Sequence, residues 1–184
     1  SFEGDQREQR DSMQRMSWGL LGSVFFIYAI MASLLRSYLQ ALLVLIVIPW
    51  SLAGAVAGHV IMGITLSVFS VFGMIALCGM VVNGAFVLAI TRNRYIAMGH
   101  SPHAAIMMAA QRRFRPILLT ALTTFLGLGP MIFETSFQAQ YLIPMAFSLG
   151  VGTLVSAVVI LTLIPALMVI VDESGIEPLQ ERLE

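Results

Sequence analysis

The chain has 184 residues, of which 58% are hydrophobic and only 11% are charged, and its mean hydropathy is +0.89. Soluble domains carry about 25% charged residues, so this composition excludes a soluble globular protein and predicts an all-α integral membrane protein. The ten arginines balance ten acidic residues, but no acidic residue lies between Asp11 and Glu134.

Residues 1–16 are polar and are predicted to form an extracytoplasmic lead-in to a first span at about residues 17–35. The second span, at about residues 39–60, contains Pro49, which we expect to kink the helix because proline lacks an N–H. A GxxxG pattern near its end favours close helix contact. His59 is predicted to be a hydrogen-bonded interfacial residue, since a metal site needs several convergent donors.

The third span, at about residues 67–91, is predicted to be the central helix. Small residues recur at every third position, namely Ser70, Gly73, Ala76 and Gly79. They lead into Asn83 and Gly84, and an amide at bilayer depth needs a protein or water partner. The residues alone leave open whether this helix serves packing or function. Cys78, the single cysteine, excludes a disulfide framework and a paired-cysteine metal site.

Ser101 followed by Pro102 indicates a helix start, so residues 101–113 are expected to form a short amphipathic helix on the membrane surface. The fourth span is predicted at about residues 116–133. Four small or hydroxyl residues recur on one face of it: Thr120, Thr123, Thr124 and Gly127. Threonine can bond back to its own helix. This face is therefore either a tolerated polar stripe or a wall facing water or a charged partner.

The fifth span is predicted at about residues 141–171, with an acidic cytoplasmic tail over residues 172–184. Five crossings place the two termini on opposite sides, and seven arginines then fall on one side: Arg36, Arg92, Arg94, Arg112, Arg113, Arg115 and Arg182. By the positive-inside rule the N-terminus is outside. His100 and His103 are expected to be solvated loop residues, because no third metal ligand accompanies them.

Four segments, IPWSLAGA, GMVVNGA, RFRPILLT and QAQYLIPMA, resemble signature segments of resistance-nodulation-division (RND) transporters. The similarity is to the permease subunit of the hydrophobic and amphiphilic efflux branch, the acriflavine-resistance type. It implies that these five spans are the C-terminal half of a twelve-helix RND membrane domain in the bacterial inner membrane. Because the chain begins without methionine or a targeting segment, we expect it to be a piece of a longer protein.

The resemblance also implies partners. These are the N-terminal half and extracytoplasmic domains of the same permease, a homotrimer, a periplasmic adaptor, an outer-membrane channel and membrane lipid. No cofactor other than the coupling proton is expected, and no metal or nucleic acid. Helix packing is assigned to six glycines: Gly54, Gly58, Gly73, Gly79, Gly84 and Gly127.

By position, the resemblance assigns proton-relay roles to Asn83, Arg115, Thr120, Thr123 and Thr124, opposite carboxylates expected in the missing half. Many related drug pumps have a lysine where this chain has Asn83. An amide cannot switch a charge, so Asn83 is expected to hydrogen-bond those carboxylates or to hold a water. Arg115 is expected at the cytoplasmic mouth.

The first functional hypothesis is the C-terminal membrane portion of a proton-driven efflux transporter for drugs or other amphiphilic compounds. A relative that exports lipids, sterols or proteins would keep the same fold, because substrate choice resides in the inserted domains. An enzyme is not expected, since no HExxH motif, paired carboxylates or Ser-His-Asp set occurs at bilayer depth. A purely structural membrane half is disfavoured by the polar residues within the spans.

Overall fold

A computed structural model describes residues 2–136 and 139–174, with side chains from Gln14 onward. This part of the chain forms six helices, α1 (Phe2–Leu35), α2 (Tyr38–Leu45), α3 (Val47–Met62), α4 (Val68–Ala97), α5 (Pro102–Ile132) and α6 (Ala139–Glu173). They make five segments long and apolar enough to cross a membrane. The described residues contain no strand, so the all-α membrane fold is confirmed. Most of the predicted tail, residues 175–184, lies outside the described residues.

Pro49 divides the second span into α2 and α3, which meet at Ile46. Ile46 keeps helical dihedral angles of φ −62° and ψ −17°, and its N–H donates to the Leu42 carbonyl at 3.1 Å. Proline cannot donate to the carbonyl four residues earlier, that of Leu45, so the regular ladder is interrupted one turn before it. The predicted loss of a backbone bond is confirmed, and the kink stays a prediction.

The surface helix predicted at residues 101–113 is wrong as a separate element, because α5 runs without interruption from Pro102 to Ile132. Its start agrees with the sequence, since the N–H of Ala104 donates to Ser101 Oγ at 3.4 Å. Pro116 lies inside the helix rather than at the start of a new one. A proline removes one backbone hydrogen bond and neighbouring helices can stabilise the turn, so the helix continues through it.

Two other helices extend past the apolar stretches that predicted their spans. α1 begins at Phe2, so the polar lead-in and the first span form one helix. α4 continues through Arg92 and Arg94 to Ala97. Arginine is a good helix former, and a cation near a helix C-terminus is stabilised by the helix dipole. The arginines therefore end the apolar run without ending the helix.

α4 is the central helix of the described bundle, as predicted, because it packs against each of the other five helices. Within the described residues, α6 packs against all of them except α1, and α1 contacts α2 and α4 alone. Leu77, Ala85 and Leu88 on α4 are fully buried. The inner surfaces of α4 and α6 therefore form the core on which the other spans pack.

Four of the six glycines assigned to packing lie against α6, namely Gly54, Gly58, Gly73 and Gly84. A methyl group at Gly73 would overlap the backbone carbonyl of Met145, and one at Gly58 would lie 2.8 Å from the Val151 side chain. These glycines allow α3 and α4 to approach α6 closely.

Gly79 and Gly127 lie elsewhere, since no neighbouring atom of the described residues falls within 4 Å of a methyl group built on either. The three-residue repeat explains Gly79. Each step of three residues falls about 60° short of a full helical turn, so three steps from Ser70 reach the opposite face of α4. Gly127 lies on an exposed face of α5.

We expect Gly73→Ala to destabilise the full-length protein by about 2 kcal/mol, because the added methyl meets backbone rather than a flexible side chain. Gly19→Ala is the matched control, since nothing lies within 4 Å of its added methyl and alanine favours a helix. The measurement is the temperature at which half of the purified protein is lost from its size-exclusion peak. Equal midpoints for the two variants would contradict the expectation.

A buried ion pair joins α4 to α6 at the end of the bundle where Arg36 and Arg94 lie, which we call the arginine end. Arg92 Nη2 donates to both carboxylate oxygens of Asp172, at 2.5 and 2.6 Å. The side chains of Arg92 and Asp172 are 5% and 23% exposed. Asn93 Nδ2 donates to Gln40 Oε1 at 2.8 Å and adds a link to α2. This network holds three helices together.

The histidines lie in two environments. His59 is hydrogen-bonded as predicted and lies in the last turn of α3, where α4 and α6 enclose it and leave it only 1% exposed. Its ring is enclosed because Gly58 and Gly73 bring the neighbouring helices close. His100 and His103 are exposed. Within the described ranges, no three His, Cys, Asp or Glu side chains are grouped as metal ligands.

Candidate functional site

A groove of about 200 Å³ lies between α4, α5 and α6, and we call it the polar groove. On α4 and α6 the lining residues recur at i, i+3, i+4 and i+7, which is one face of each helix. Its polar side chains come from all three helices: Asn83, Arg113, Thr120, Thr153 and Ser156. The groove thus gathers polar groups from segments far apart in the sequence.

Asn83 lies on the α4 wall of the polar groove with its side chain exposed. It also borders a second cavity of about 280 Å³, lined largely by apolar residues of α1 and α4. No described residue hydrogen-bonds its amide, which can both donate and accept. The predicted relay residue therefore presents an unused amide on the open side of the central helix.

Arg113 supplies the charge in the groove, and sequence reasoning did not single it out. Its Nε–H donates to Thr91 Oγ1 at 3.0 Å, and the Thr91 hydroxyl donates to the Val87 carbonyl at 2.7 Å. Thr91 is buried and thereby fixes the stem of the half-buried guanidinium. The signal available in the sequence was spacing, since Arg113 precedes Thr120 by seven residues and so shares its helix face.

Thr120 lies on the same face of α5, one turn beyond Pro116. Its hydroxyl donates to the Pro116 carbonyl at 2.8 Å. A hydroxyl that donates to its own helix keeps lone pairs that can accept from another group. The tolerated polar stripe and the functional wall are therefore compatible at this residue.

The α6 wall carries two hydroxyls that sequence reasoning missed, Thr153 and Ser156. Both side chains are 3% exposed. Thr153 donates to the Leu149 carbonyl, and Ser156 donates to the Thr153 carbonyl at 2.8 Å. The signal that could have found them is their spacing of three residues, which puts both hydroxyls on one face of α6.

Three predicted relay residues do not line the polar groove. Arg115 is exposed and lies on a different face of α5. It is two residues from Arg113, which is about 200° around the helix axis. Thr123 is exposed, and its hydroxyl donates to the carbonyls of Leu119 and Thr120 at 2.8 and 3.0 Å. Thr124 is half-buried. Of the five predicted residues, the groove brings together Asn83 and Thr120.

The polar groove is electropositive among the residues that the structure describes. Among the described residues that line it, Arg113 is the one charged side chain and none is a carboxylate. Asp172 is already paired with Arg92, and Glu134 accepts from the N–H groups of Thr135 and Ser136 at 3.1 Å. The guanidinium, amide and hydroxyls together are suited to an anionic partner or to ordered water.

The fold and the groove define the membrane portion of a protein that holds a cation and polar groups among its spans. The chain belongs to the AcrB/AcrD/AcrF family, which it matches over residues 1–172. This match supports the predicted resemblance to the RND family, whose members are transporters rather than enzymes.

A solved structure of a heavy metal efflux pump has the same fold, with a TM-score of 0.77 and 26% sequence identity. The similarity covers 94% of this chain and 16% of that one. This chain thus spans about a sixth of the length of that pump.

Proposed function

We propose that this chain is the C-terminal membrane portion of an efflux transporter that exchanges protons for its substrate. The polar groove would form one wall of the proton pathway, and carboxylates from the N-terminal half would form the other. The observation that carries this proposal is the half-buried Arg113, which has no carboxylate partner in the groove. An unpaired cation among membrane spans is costly and favours an acidic partner from outside the described residues.

Each groove residue has a distinct role in this proposal. Arg113 stabilises the ionised form of an incoming carboxylate and so favours release of its proton. Asn83 can hydrogen-bond to this carboxyl group in either protonation state, because its amide can donate or accept. The hydroxyls of Thr120 and Ser156 accept from ordered waters along the groove. Carboxylate protonation would then change which of these bonds form.

The proposed assembly is a homotrimer in the bacterial inner membrane, with the N-terminus periplasmic and the C-terminus cytoplasmic. A periplasmic adaptor and an outer-membrane channel would complete the export path. The orientation is supported by the six arginines between residues 36 and 115, which the predicted topology puts on one side.

Drugs or other amphiphilic compounds are the proposed substrates, in line with the acriflavine-type branch. Heavy metal ions are a second candidate, favoured by the solved pump that shares this fold. Export of a fluorescent cationic dye and of Cu⁺ or Zn²⁺ by cells that carry the full-length protein distinguishes the two. Metal export without dye export would replace the drug assignment.

We expect Asn83→Leu to reduce proton-coupled export by the full-length protein about tenfold, and Thr120→Val to reduce it several-fold, by loss of groove hydrogen bonds. Thr162→Val is the matched control, because Thr162 is also exposed and bonds back to the Val158 carbonyl at 2.7 Å, but lies outside the groove. The measurement is substrate export from proteoliposomes under a fixed proton gradient. Unchanged export in both groove variants would reject the groove as the coupling site and favour a structural role.

A further inference from the structure

His59 lies at the end of the bundle opposite the arginine end, where α3, α4 and α6 meet. Its ring is 1% exposed. Nδ1 lies 3.0 Å from the Ala55 carbonyl oxygen, and Nε2 lies 3.1 Å from Ser70 Oγ and 3.4 Å from Ser148 Oγ. Phe147 packs edge-on, with ring centroids 5.3 Å apart. A titratable side chain is thus held by hydrogen bonds to three helices.

The bond to Ala55 fixes one proton of the ring. A carbonyl oxygen only accepts, so Nδ1 must carry a hydrogen in every state that keeps this bond. In the neutral ring Nε2 is then the acceptor and needs a hydroxyl donor. This geometry assigns the Nδ1–H tautomer to neutral His59.

The two serines differ in whether their hydroxyl hydrogen is free to bond to Nε2. Ser148 donates its hydroxyl hydrogen to the Pro144 carbonyl at 2.9 Å. Ser70 Oγ accepts from the N–H of Ser67 at 3.1 Å, which leaves its own hydrogen free to donate to His59. Ser70 is therefore the donor to the neutral ring. Ser148 keeps lone pairs that face Nε2 without a hydrogen to offer.

We propose that His59 is a proton-binding site in which proton uptake moves the Nε2 hydrogen bond from Ser70 on α4 to Ser148 on α6. The charged ring carries a hydrogen on Nε2 and needs an acceptor there. Ser148 accepts without changing its bond to Pro144. Before Ser70 could accept this hydrogen bond, its hydroxyl would have to rotate and donate its own hydrogen to another acceptor.

The three helices lie close together at this position, so moving the Nε2 hydrogen bond changes a direct link between helices. A methyl group at Gly73 would lie 2.9 Å from Ser148 Cβ, and one at Gly58 would lie 3.2 Å from the Phe147 ring. Little side-chain volume separates these helices. The Nε2 bond of His59 therefore links α3 to α4 in the neutral state and α3 to α6 in the charged state. Proton uptake would thus change which helix pair is tied together.

No ionisable side chain from α4 or α6 bonds to the ring in the described part of the chain. Near this end, Glu134 precedes α6 and bonds to backbone N–H groups, and the Tyr141 ring packs against Phe69 at 6.3 Å. Among the described residues, hydroxyls are thus the side-chain groups that bond to the ring. Protonation of His59 therefore adds a positive charge at this end of the bundle, and no described ionisable side chain that bonds to the ring offsets it.

The site is separate from the polar groove. Ser70 and Asn83 are thirteen residues apart on α4, which is about 20 Å along the helix axis. Its assignment uses no carboxylate from the missing half and does not depend on the proposed function.

The test uses the full-length protein in lipid bilayers, with ¹⁵N-labelled histidine rings observed by solid-state NMR as the pH is lowered. The His59 resonances are those lost in His59→Gln. They are also the ones perturbed in Ser70→Ala and Ser148→Ala, so the assignment does not rest on one variant. We expect a neutral ring protonated on Nδ1 at high pH and a doubly protonated ring at low pH.

The serine variants separate the proposal from a purely structural histidine. At a fixed pH, Ser148→Ala should lower the ratio of charged to neutral ring about fivefold, by loss of one acceptor for the charged form. Ser70→Ala should raise it, because the neutral ring loses its donor. Ser23→Ala, whose hydroxyl bonds to the Leu20 carbonyl on α1, should leave it unchanged. An Nε2–H neutral tautomer, a ring that never charges, or equal shifts in both serine variants would overturn the proposal.

Discussion

Arg113→Gln is expected to reduce proton-coupled export by the full-length protein about 10- to 100-fold. The guanidinium is half-buried in the polar groove, and Thr91 fixes it there through Nε. Its remaining N–H groups are available for a carboxylate, and hydrogen bonds to charged groups contribute about 1.5–3 kcal/mol each. Glutamine keeps a polar side chain of moderate length but loses the positive charge.

Two further variants make this result specific to charge in the groove. Arg113→Lys should retain part of the activity, because the charge remains while the planar donor geometry is lost. Arg36→Gln removes an exposed arginine outside the groove and should leave export unchanged. The measurement is the initial rate of substrate-driven proton movement in proteoliposomes. Activity of Arg113→Gln at the wild-type level would show that the groove needs no cation.

The sequence was sufficient for the spans because each depends on a local property, a run of apolar residues long enough to cross a bilayer. It was also sufficient for the central position of α4 and for the interruption of the helix before Pro49. It failed at residues 101–113, where a surface helix and the start of a span have the same local signals. Whether the two join depends on the packing of the whole helix, which propensity does not encode.

The site was harder to predict because its residues share a surface only after packing. Asn83 was identifiable as an amide within an apolar span, but choosing Arg113 over Arg115 requires knowing which face of α5 meets α4 and α6. His59 illustrates the same limit. Its partners, Ser70 and Ser148, lie 11 and 89 residues away in the sequence. A hydroxyl in an apolar run carries no local sign of the partner it will meet.

Asp172→Leu is expected to destabilise the full-length protein by about 3 kcal/mol. The substitution leaves the Arg92 guanidinium without its anion, and the side chain of Arg92 is only 5% exposed. Arg92 Nε is already buried without a hydrogen-bond partner among the described residues. Breaking a buried ion pair from one side costs about 3–5 kcal/mol, because the remaining charge is desolvated and uncompensated. The measurement is the loss of the size-exclusion peak on heating.

The reciprocal change tests whether that cost comes from the stranded charge. Arg92→Met should cost less than Asp172→Leu, because the Asp172 side chain is 23% exposed and can be hydrated once it is alone. The double variant Arg92→Met/Asp172→Leu removes both charges and places two apolar side chains between α4 and α6. Apolar replacement of a whole buried pair is often neutral or stabilising, so the double variant should be more stable than Asp172→Leu alone. If it is equally unstable, shape and hydrogen bonding rather than charge hold α4 and α6 together at the arginine end.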